Sequence, residues 1–171
     1  IEEELIEMVS DFDIIIADDG SDKETKNIIE HFKDATNLDI NHIWHEDDGF
    51  QKSVILNKAI QASKSEYLIF SDGDCIPNQS FVQTHINLAA QGYFLSGGHF
   101  PLSSSVSKLI TENNITSQQC FNKTFLLSSG QMLSKNYLKL LRTDLLSMSL
   151  DKITPTKPTF NGNNASAWRK D

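Results

Sequence analysis

The feature that most constrains the fold is a short apolar run, residues 67–70, that stops abruptly at two carboxylates, Asp72 and Asp74. An earlier run, residues 14–17, is mostly β-branched and stops in the same way, at Asp18. Continuous apolar runs of this length are typical of strands that are buried on both faces, as in parallel sheets. The sequence therefore predicts a sheet whose strands carry acidic residues at their carboxyl ends.

Strand and helix patterns alternate along the first hundred residues. The predicted strands cover residues 14–17, 38–44, 66–71 and 93–100. The predicted helices between them begin at Ser21 or Asp22, at residue 51, where a helix runs to residue 63, and at Pro77. This alternation predicts an α/β fold with three α/β/α layers and a mostly parallel sheet. Ligands of such sheets bind beyond the carboxyl ends of the strands.

Apolar residues at helical spacing predict the face that each helix buries. Ser21 or Asp22 is suited to cap the first helix, and Glu24 stands at the capping-box position relative to Ser21. The predicted buried positions are Ile28, Ile29 and Phe32 in the first helix, Val54, Ile55, Ala59, Ile60 and Ala62 in the second, and Phe81, Val82, Ile86 and Leu88 in the third.

The second half of the chain has weaker patterns. The predictions are helices over 103–113 and 134–147, a loop over 151–160, and a helix end or a strand over 125–130. Residues 1–10 also have helical spacing, so the chain opens inside a helix and we expect it to be a piece of a longer protein. Because no internal repeat or long linker divides it, we predict one domain over residues 1–171.

The composition excludes several classes of protein. A net charge of −8 argues against a nucleic-acid binder, which needs a basic face. No apolar run approaches the ~18–20 residues of a membrane-spanning helix, and the acidic start is unlike a signal peptide. Two cysteines, Cys75 and Cys120, give no disulfide framework, so we expect a reducing, cytoplasmic location.

Asp72 and Asp74 flank Gly73 directly after the third predicted strand. Carboxylates are hard oxygen ligands, and Mg²⁺ or Mn²⁺ takes one or two of them together with phosphate oxygens of a substrate. The pair therefore indicates a cation held over a phosphate group. Asp-Gly is also a frequent turn dipeptide, so a plain turn stays open as the alternative. An EF-hand loop is excluded because its glycine and its closing Glu are missing.

Two further stretches carry candidate binding residues. Asp18, Asp19 and Ser21 follow the first strand, where a carboxylate can accept hydrogen bonds from a base or a ribose hydroxyl; the same residues can also simply cap the next helix. Lys52 lies in the first turn of a helix, whose N-terminus attracts phosphate; a solvated lysine is the plain alternative. The sequence has neither the dinucleotide-binding glycine motif nor a P-loop.

The remaining reactive side chains favour structural interpretations. The five histidines have no metal-binding spacing, and we interpret His99 as an ordinary residue. Cys75 is interpreted as a small packing residue because neighbouring carboxylates raise the pKa of a thiol. A haloacid-dehalogenase-type phosphatase would require Thr or Val after the second Asp and a motif near the start of the domain. This chain has Cys75 at that position and two predicted β-α units before the motif, so both features argue against a phosphatase.

Taken together and in order, these segments resemble the family 2 glycosyltransferases of the GT-A fold. The resemblance rests on residues 14–21, on residues 46–52 with 56–60, and on residues 68–77. The closing segment, residues 162–171, is similar to the one that precedes the acceptor site in the chondroitin-polymerase-like branch. The resemblance covers nearly the whole chain, and four segments in register are more specific than any one of them.

The resemblance implies an inverting transfer of a sugar from a nucleoside-diphosphate sugar, usually a UDP-sugar, to a glycan, a lipid-linked acceptor or another hydroxyl. It implies that Asp19 holds the base or ribose, that Asp72 contacts ribose and metal, and that Asp74 ligates Mn²⁺ or Mg²⁺ on the diphosphate. The implied nucleotide-sugar-binding residues are Asp18, Asp19, Ser21, Asp48, Gly49, Lys52, Asn57, Asp72, Gly73 and Asp74. The implied acceptor-side residues are Gly162, Asn163, Asn164 and Trp168.

The same resemblance divides the chain into a nucleotide-binding half, residues 1–100, and an acceptor-side half, residues 101–171. It implies a role in polysaccharide or glycoconjugate synthesis in the cytoplasm. Peripheral association with the inner face of a membrane is compatible with the sequence. Family members begin with a strand ending in a Pro-x-Tyr-Asn-like segment, and their catalytic base lies in a Glu-Asp segment. We expect the base beyond Asp171, and we expect little or no turnover from this chain alone.

Two alternatives remain open from the sequence. A sugar-phosphate nucleotidyltransferase also uses a metal on an α/β sheet, but it requires a Gly-rich loop with Arg or Lys near its start. The other alternative is a nucleotide-sugar-binding or glycan-binding module without turnover.

Overall fold

A computed structural model describes residues 12–132 and 159–171. These residues form two compact units, the first ending at Leu68 and the second beginning at Ile69. Within the described ranges no helix is long and apolar enough to cross a bilayer. The predicted helices over 1–10 and 134–147, and most of the predicted loop over 151–160, lie outside the described residues.

The first unit is a β-α-β-α arrangement. Its elements are β1 (Asp13–Asp18), α1 (Lys23–Ala35), β2 (Asp39–Trp44) and α2 (Lys52–Ala62). Strands β1 and β2 are parallel, with Asp13 opposite Asp39 and Asp18 opposite Trp44. Helix α1 contacts β2, and α2 packs on both strands. This order and the strand direction confirm the α/β prediction for this part of the chain.

The helices of the first unit bury fewer positions than their spacing predicts. In α1 only Ile29 is buried, whereas Ile28 and Phe32 are each 53% exposed. In α2, Ile55 and Ala59 are buried, one turn apart, but Val54 is exposed. The prediction for the full apolar faces was therefore wrong at these exposed positions. Each helix contacts its unit through a narrow stripe of residues three or four apart.

The first turn of α1 is capped by a single side chain. The carboxylate of Asp22 accepts hydrogen bonds from the backbone N–H groups of Glu24 and Thr25, at 3.0 and 3.1 Å. Asp22 is thus the N-cap, and the capping box predicted from Ser21 and Glu24 is not the arrangement used. Ser21 lies outside the helix, and its backbone N–H donates a hydrogen bond to the carboxylate of Asp18.

The second unit contains a three-stranded sheet and several short helices. Its strands are β3 (Tyr67–Phe70), of which Ile69 and Phe70 belong to this unit, β4 (Leu95–Ser96) and β5 (Ala165–Trp168), in the spatial order β3-β5-β4. Its helices are α3 (Phe81–Leu88), α4 (Ser104–Ser107), α5 (Glu112–Thr116), a 3₁₀ helix (Gln119–Phe121) and α6 (Lys123–Ser128). Its core contains Val106, Leu126 and Ala165, each 0% exposed.

The second sheet departs from the mostly parallel arrangement that the alternation predicted. Strand β5 lies between β3 and β4, and it runs antiparallel to β4. The predicted strand over 93–100 is reduced to Leu95 and Ser96, because the pairing with β5 ends where two glycines follow. Strand β5 itself, with the sequence Ala-Ser-Ala-Trp, was not predicted.

Three helix predictions in the second unit also change. The helix predicted over 103–113 is two helices, because Thr111 and Asn114 form a capping box that starts α5 afresh. Residues 123–128 are helical, which settles the open choice over 125–130. Helix α3 begins after a turn that opens at Asn78, and its buried residue is His85, whereas Leu88 is 53% exposed.

Gly20 provides a test of the turn that follows β1. Its φ is +89°, and a Cβ there would lie 2.5 Å from Asp47 Cα and 2.7 Å from Asp47 N. Gly49 has a similar φ of +76°, but a Cβ on Gly49 would have no neighbouring atom within 4 Å, so it is a matched control. Both alanine variants incur about 1–2 kcal/mol for the left-handed backbone. We expect Gly20→Ala to lose about 1–3 kcal/mol more, measured by urea unfolding. Equal losses in the two variants would contradict the close packing of Gly20 on Asp47.

Candidate nucleotide-sugar site

Asp18 ends strand β1 and is held by donors within the first unit. It is buried, and its carboxylate accepts the Ser21 N–H at 2.8 Å and contacts His42 Nε2 at 2.8 Å. Burial works against ionisation, but the hydrogen bonds from Ser21 and the His42 contact outweigh it and lower the pKa of Asp18. Asp18 therefore fixes the turn after β1, with its lone pairs directed at protein groups.

Asp19 is the centre of a second set of contacts. Its Oδ2 accepts the Gln51 N–H at 2.8 Å, and its Oδ1 contacts His45 Nε2 at 2.6 Å. The other ring nitrogen of His45 contacts Lys58 Nζ at 3.2 Å. Because an ammonium group can only donate, His45 Nδ1 accepts and His45 Nε2–H donates to Asp19. Asp19 is thereby oriented by two donors while each oxygen keeps a lone pair.

The loop that follows β2 is brought to Asp19 by the Gln51 backbone. Within the loop, the Gly49 N–H donates to Asp47 Oδ1 at 3.1 Å, and Gln51 Nε2 donates to Asp48 Oδ2 at 3.0 Å. The ring of Phe50 is 90% exposed. Asp48 and Gly49 therefore belong to an ordered turn whose apolar side chain faces outward.

Lys52 and Asn57 occupy different parts of helix α2. Lys52 is the first residue of the helix and is half-buried, while Asn57 is exposed in the middle of it. Gln51, the residue before the helix, makes no side-chain cap to it. Lys52 thus lies at the positive end of the helix, directly after the residue that contacts Asp19.

Asp72 and Asp74 lie in a tight turn that follows β3 in the second unit. The Cys75 N–H donates to the Asp72 carbonyl at 3.0 Å, which closes a four-residue turn with Gly73 and Asp74 at its centre. Asp72 is half-buried and Asp74 is exposed. The turn alternative raised from the sequence is therefore present. The turn carries the two carboxylates on either side of Gly73.

Cys75 is a free thiol beside this turn, with Sγ 3.8 Å from Asp74 Oδ1. Burial, followed by the charges of Asp74 and Asp72, raises the pKa of Cys75. A thiol with a raised pKa is a poor nucleophile at neutral pH. The prediction that Cys75 is not a nucleophile agrees with this shift.

The acceptor-side candidates form a turn followed by a strand. The Asn164 N–H donates to the Asn161 carbonyl at 3.1 Å, so Gly162 and Asn163 are the two central turn residues. Asn163 Nδ2 contacts His99 Nδ1 at 2.9 Å, and Asn163 Oδ1 is buried without a hydrogen-bond partner in the described part of the chain. Trp168 lies at the end of β5, half-buried.

Asn164 ties this turn to the loop after β4. The Gly97 N–H donates to the Asn164 carbonyl at 2.8 Å, and Asn164 Nδ2 donates to the Gly98 carbonyl at 3.0 Å. A Cβ at Gly97 would collide with the Asn164 side chain. The buried ring of His85 reaches the same segment, with Nε2 3.0 Å from Asn164 Oδ1 and Nδ1 2.6 Å from Ser166 Oγ.

The chain matches the model of glycosyl transferase family 2 over residues 3–146. It belongs to that family. Membership makes the chain a glycosyltransferase domain of the GT-A type, and the α/β structure agrees with that fold. The resemblance drawn from residues 14–21, 46–60 and 68–77 is confirmed.

Three relatives show which members of family 2 the chain is similar to. It is 32% identical to the chondroitin synthase of Escherichia coli over 82 residues, which are 48% of this chain and 12% of that protein. It is 26% identical to the chondroitin synthase of Pasteurella multocida over 120 residues, 69% of this chain and 11% of that protein. It is 31% identical to the hyaluronan synthase of Pasteurella multocida over 75 residues, which are 44% of this chain and 8% of that protein. The chain thus spans about a tenth of these proteins, and the predicted branch is confirmed.

Members of family 2 generally use a divalent metal, and the acidic residues of this chain can be compared with that requirement. In residues 12–132 and 159–171, no group of three or more His, Cys, Asp or Glu side chains could hold a metal ion. Mg²⁺ and Mn²⁺ bind through one or two carboxylates and take phosphate and water oxygens for the rest. Asp72 and Asp74 are such a pair, so the residues fit a cation that arrives with a phosphate ligand.

The sequence located the carboxylates but missed the groups that hold them. His42, His45 and His85 each contact a predicted site residue, and none was selected from the sequence. One signal was available for His85, which lies four residues after Phe81 on the apolar side of a helix. His42 and His45 had no comparable signal, because their partners lie 24 and 26 residues away in sequence.

His85 generates a prediction about pH. Burial lowers the pKa of His85 from the ordinary 6.5, and the Asn164 hydrogen bond only partly offsets this. The unfolded chain therefore binds the proton more readily, so stability is full above 6.5 and falls as the pH drops below it. We expect His85→Gln to flatten the decline in unfolding midpoint between about pH 7.5 and about pH 5. The control is His31→Gln, on the exposed part of α1, which should keep the wild-type slope. If His85→Gln shows the same pH dependence of the unfolding midpoint as the wild type, burial of His85 is not the cause of that dependence.

Proposed function

We propose that this chain carries the donor-binding residues and part of the acceptor side of an inverting, metal-dependent glycosyltransferase that uses a UDP-sugar to build a polysaccharide or glycoconjugate. Family membership and the names of the relatives support the reaction class. The observation that carries the metal and the diphosphate is the turn that presents Asp72 and Asp74 one residue apart. A location at the cytoplasmic face of a membrane stays a prediction.

The nucleoside part of the donor is assigned to the residues after β1. Asp19 is oriented by the Gln51 N–H and by His45, so its remaining lone pairs have fixed directions. A carboxylate held in this way is suited to accept hydrogen bonds from the base or from ribose hydroxyls without losing side-chain entropy on binding. Asp18 and Ser21 support the same turn, since the Ser21 N–H is bonded to Asp18.

The diphosphate part of the donor is assigned to the acidic turn after β3. Asp72 and Asp74 would hold Mn²⁺ or Mg²⁺, which when bound supplies positive charge against the negative charge of the departing nucleotide. Because the net charge is −8, a metal or local positive groups must offset the charge of a dianionic diphosphate if the chain binds one. Lys52, at the start of α2, is proposed to add positive charge for the phosphates, and Asn57 remains a weaker candidate because it is exposed.

The acceptor side is assigned to Gly162, Asn163, Asn164 and Trp168. Gly162 and Asn163 are the central residues of the turn before β5, and the similarity to chondroitin synthases supports this assignment. A carboxylate base that deprotonates the attacking hydroxyl is proposed to lie C-terminal to Asp171. We take a chondroitin oligosaccharide as the acceptor probe, because two relatives are named chondroitin synthase.

Removal of one carboxylate tests the cation assignment. We expect Asp74→Ala to reduce strongly the gain in UDP affinity that Mn²⁺ provides, because the ion loses one of its two carboxylate ligands. Isothermal titration with UDP, with and without Mn²⁺, measures this gain. The matched control is Glu112→Ala, which removes an exposed carboxylate on α5 and should keep the gain. A gain in UDP affinity from Mn²⁺ that is as large in Asp74→Ala as in the wild type would refute the assignment.

Removal of the charge after β1 tests the nucleoside assignment. We expect Asp19→Asn to weaken UDP binding by about tenfold, because charge-assisted hydrogen bonds to the nucleoside are lost. The same titration in saturating Mn²⁺ measures the change, and binding of uridine alone should weaken by a similar factor. Asp34→Asn, an exposed position on α1, serves as the control. If Asp19→Asn binds UDP and uridine as tightly as the wild type, Asp19 does not hold the nucleoside.

A further inference from the structure

We propose that His85 is a positioning residue for the acceptor side, which fixes the turn of residues 161–164 and the start of β5. The proposal rests on the proposed function, since it concerns the segment assigned to the acceptor. His85 lies on α3, far in sequence from this segment. Its ring contacts Asn164 and Ser166, which lie 79 and 81 positions further along the chain. It is also 6% exposed, so these contacts are made away from water.

The hydrogen bonds around His85 run in one direction. Asn164 Nδ2 donates to the Gly98 carbonyl, so the Asn164 oxygen is the acceptor that faces the histidine ring. His85 Nε2 must therefore carry the hydrogen, and His85 Nδ1 must accept from the Ser166 hydroxyl. The chain of donors runs from Ser166 through His85 and Asn164 to Gly98. Reversal at any one link would leave two donors or two acceptors facing each other.

The surroundings allow little freedom to this arrangement. The Asn164 side chain fits only because Gly97 has no Cβ, and the Asn164 carbonyl accepts the Gly97 N–H at 2.8 Å. Phe81, one turn earlier on α3, contacts the His85 ring edge-to-face with centroids 4.8 Å apart. The histidine ring is thus held by an apolar neighbour on one side and by its polar partners on the other.

An apolar residue would fill this position of α3 at lower cost if packing were its sole purpose. A buried imidazole requires matched partners, because an unsatisfied polar group in the interior is unfavourable. Its polar partners include Asn164 and Ser166, and Asn164 closes the turn that carries Gly162 and Asn163. His85 therefore stabilises one conformation of the turn that carries Gly162, Asn163 and Asn164, the residues assigned to the acceptor side.

The test uses the full-length enzyme, UDP with Mn²⁺ as the donor-side probe, and a chondroitin oligosaccharide as the acceptor-side probe. His85→Phe keeps a ring against Phe81 but removes both hydrogen bonds. We expect it to raise the KM for the oligosaccharide by about tenfold or more, with UDP affinity within about twofold of wild type. His85→Gln keeps an N–H that can reach Asn164, so it should recover most of the loss. Ser166→Ala, which removes one partner while leaving the ring, should give an intermediate KM.

A packing control separates positioning from stability. Val106→Ala creates a cavity in the core of the same unit, and it should lower the unfolding midpoint while leaving the oligosaccharide KM unchanged. An oligosaccharide KM that is equal in wild type, His85→Phe and Ser166→Ala would overturn the proposal. So would a KM that rises as much in Val106→Ala as in His85→Phe.

A spectroscopic measurement keeps the proposal distinct from the proposed function. The ¹⁵N shifts of the His85 ring should report a neutral imidazole with the hydrogen on Nε2, and Asn164→Ala should weaken that preference. The opposite tautomer would overturn the proposal even in an active enzyme. Wild-type enzyme that transfers to no hydroxyl acceptor would refute the proposed function instead, while the tautomer measurement would still decide the direction of the hydrogen bonds.

Discussion

A carboxylate at the end of a strand must be matched by donors or by a cation, and the candidate site depends on how this chain meets that requirement. After β1 the match is internal: Ser21 and His42 serve Asp18, while Gln51 and His45 serve Asp19. After β3 the contact found at Asp74 is the Cys75 thiol, which is a weak donor at 3.8 Å. The two acidic turns therefore differ in chemistry although their sequences look alike. The proposed function assigns neutral hydroxyls or a base to the first turn and a cation to the second.

The order of elements from β1 to β3 was predictable, because β1 and β3 contain continuous apolar runs and the helices between the strands are bounded by turn or cap residues. The buried faces were less predictable, since Ile28 and Phe32 have the correct spacing but only Ile29 is buried. Helical periodicity gives a direction for a face, whereas tertiary packing decides how wide that face is. Strand β5 was missed because small residues with low strand propensity form it, and its pairing with β4 supplies the stabilisation instead.

The site shows the same limit at the level of single side chains. Asp19, Asp72 and Asp74 stood out because acidic residues after apolar runs are visible within a few positions of sequence. The histidines that orient the site did not stand out, because each contacts a partner that is distant in sequence and that only the folded chain brings near. Local sequence can therefore indicate which residues carry the chemistry, but the tautomer of His45 or His85 follows only from the three-dimensional hydrogen-bond network.

The most direct measurement is paramagnetic broadening of amide signals by Mn²⁺ in ¹H–¹⁵N spectra, recorded with and without UDP. We expect UDP to concentrate the broadening at residues 71–76, because the cation binds the two carboxylates of this turn together with the diphosphate. Excess Mg²⁺ should displace Mn²⁺ from this turn, so the localised broadening at residues 71–76 should disappear. Broadening that is centred on another part of the chain, or that UDP does not change, would show that the turn after β3 does not hold the cation of the donor.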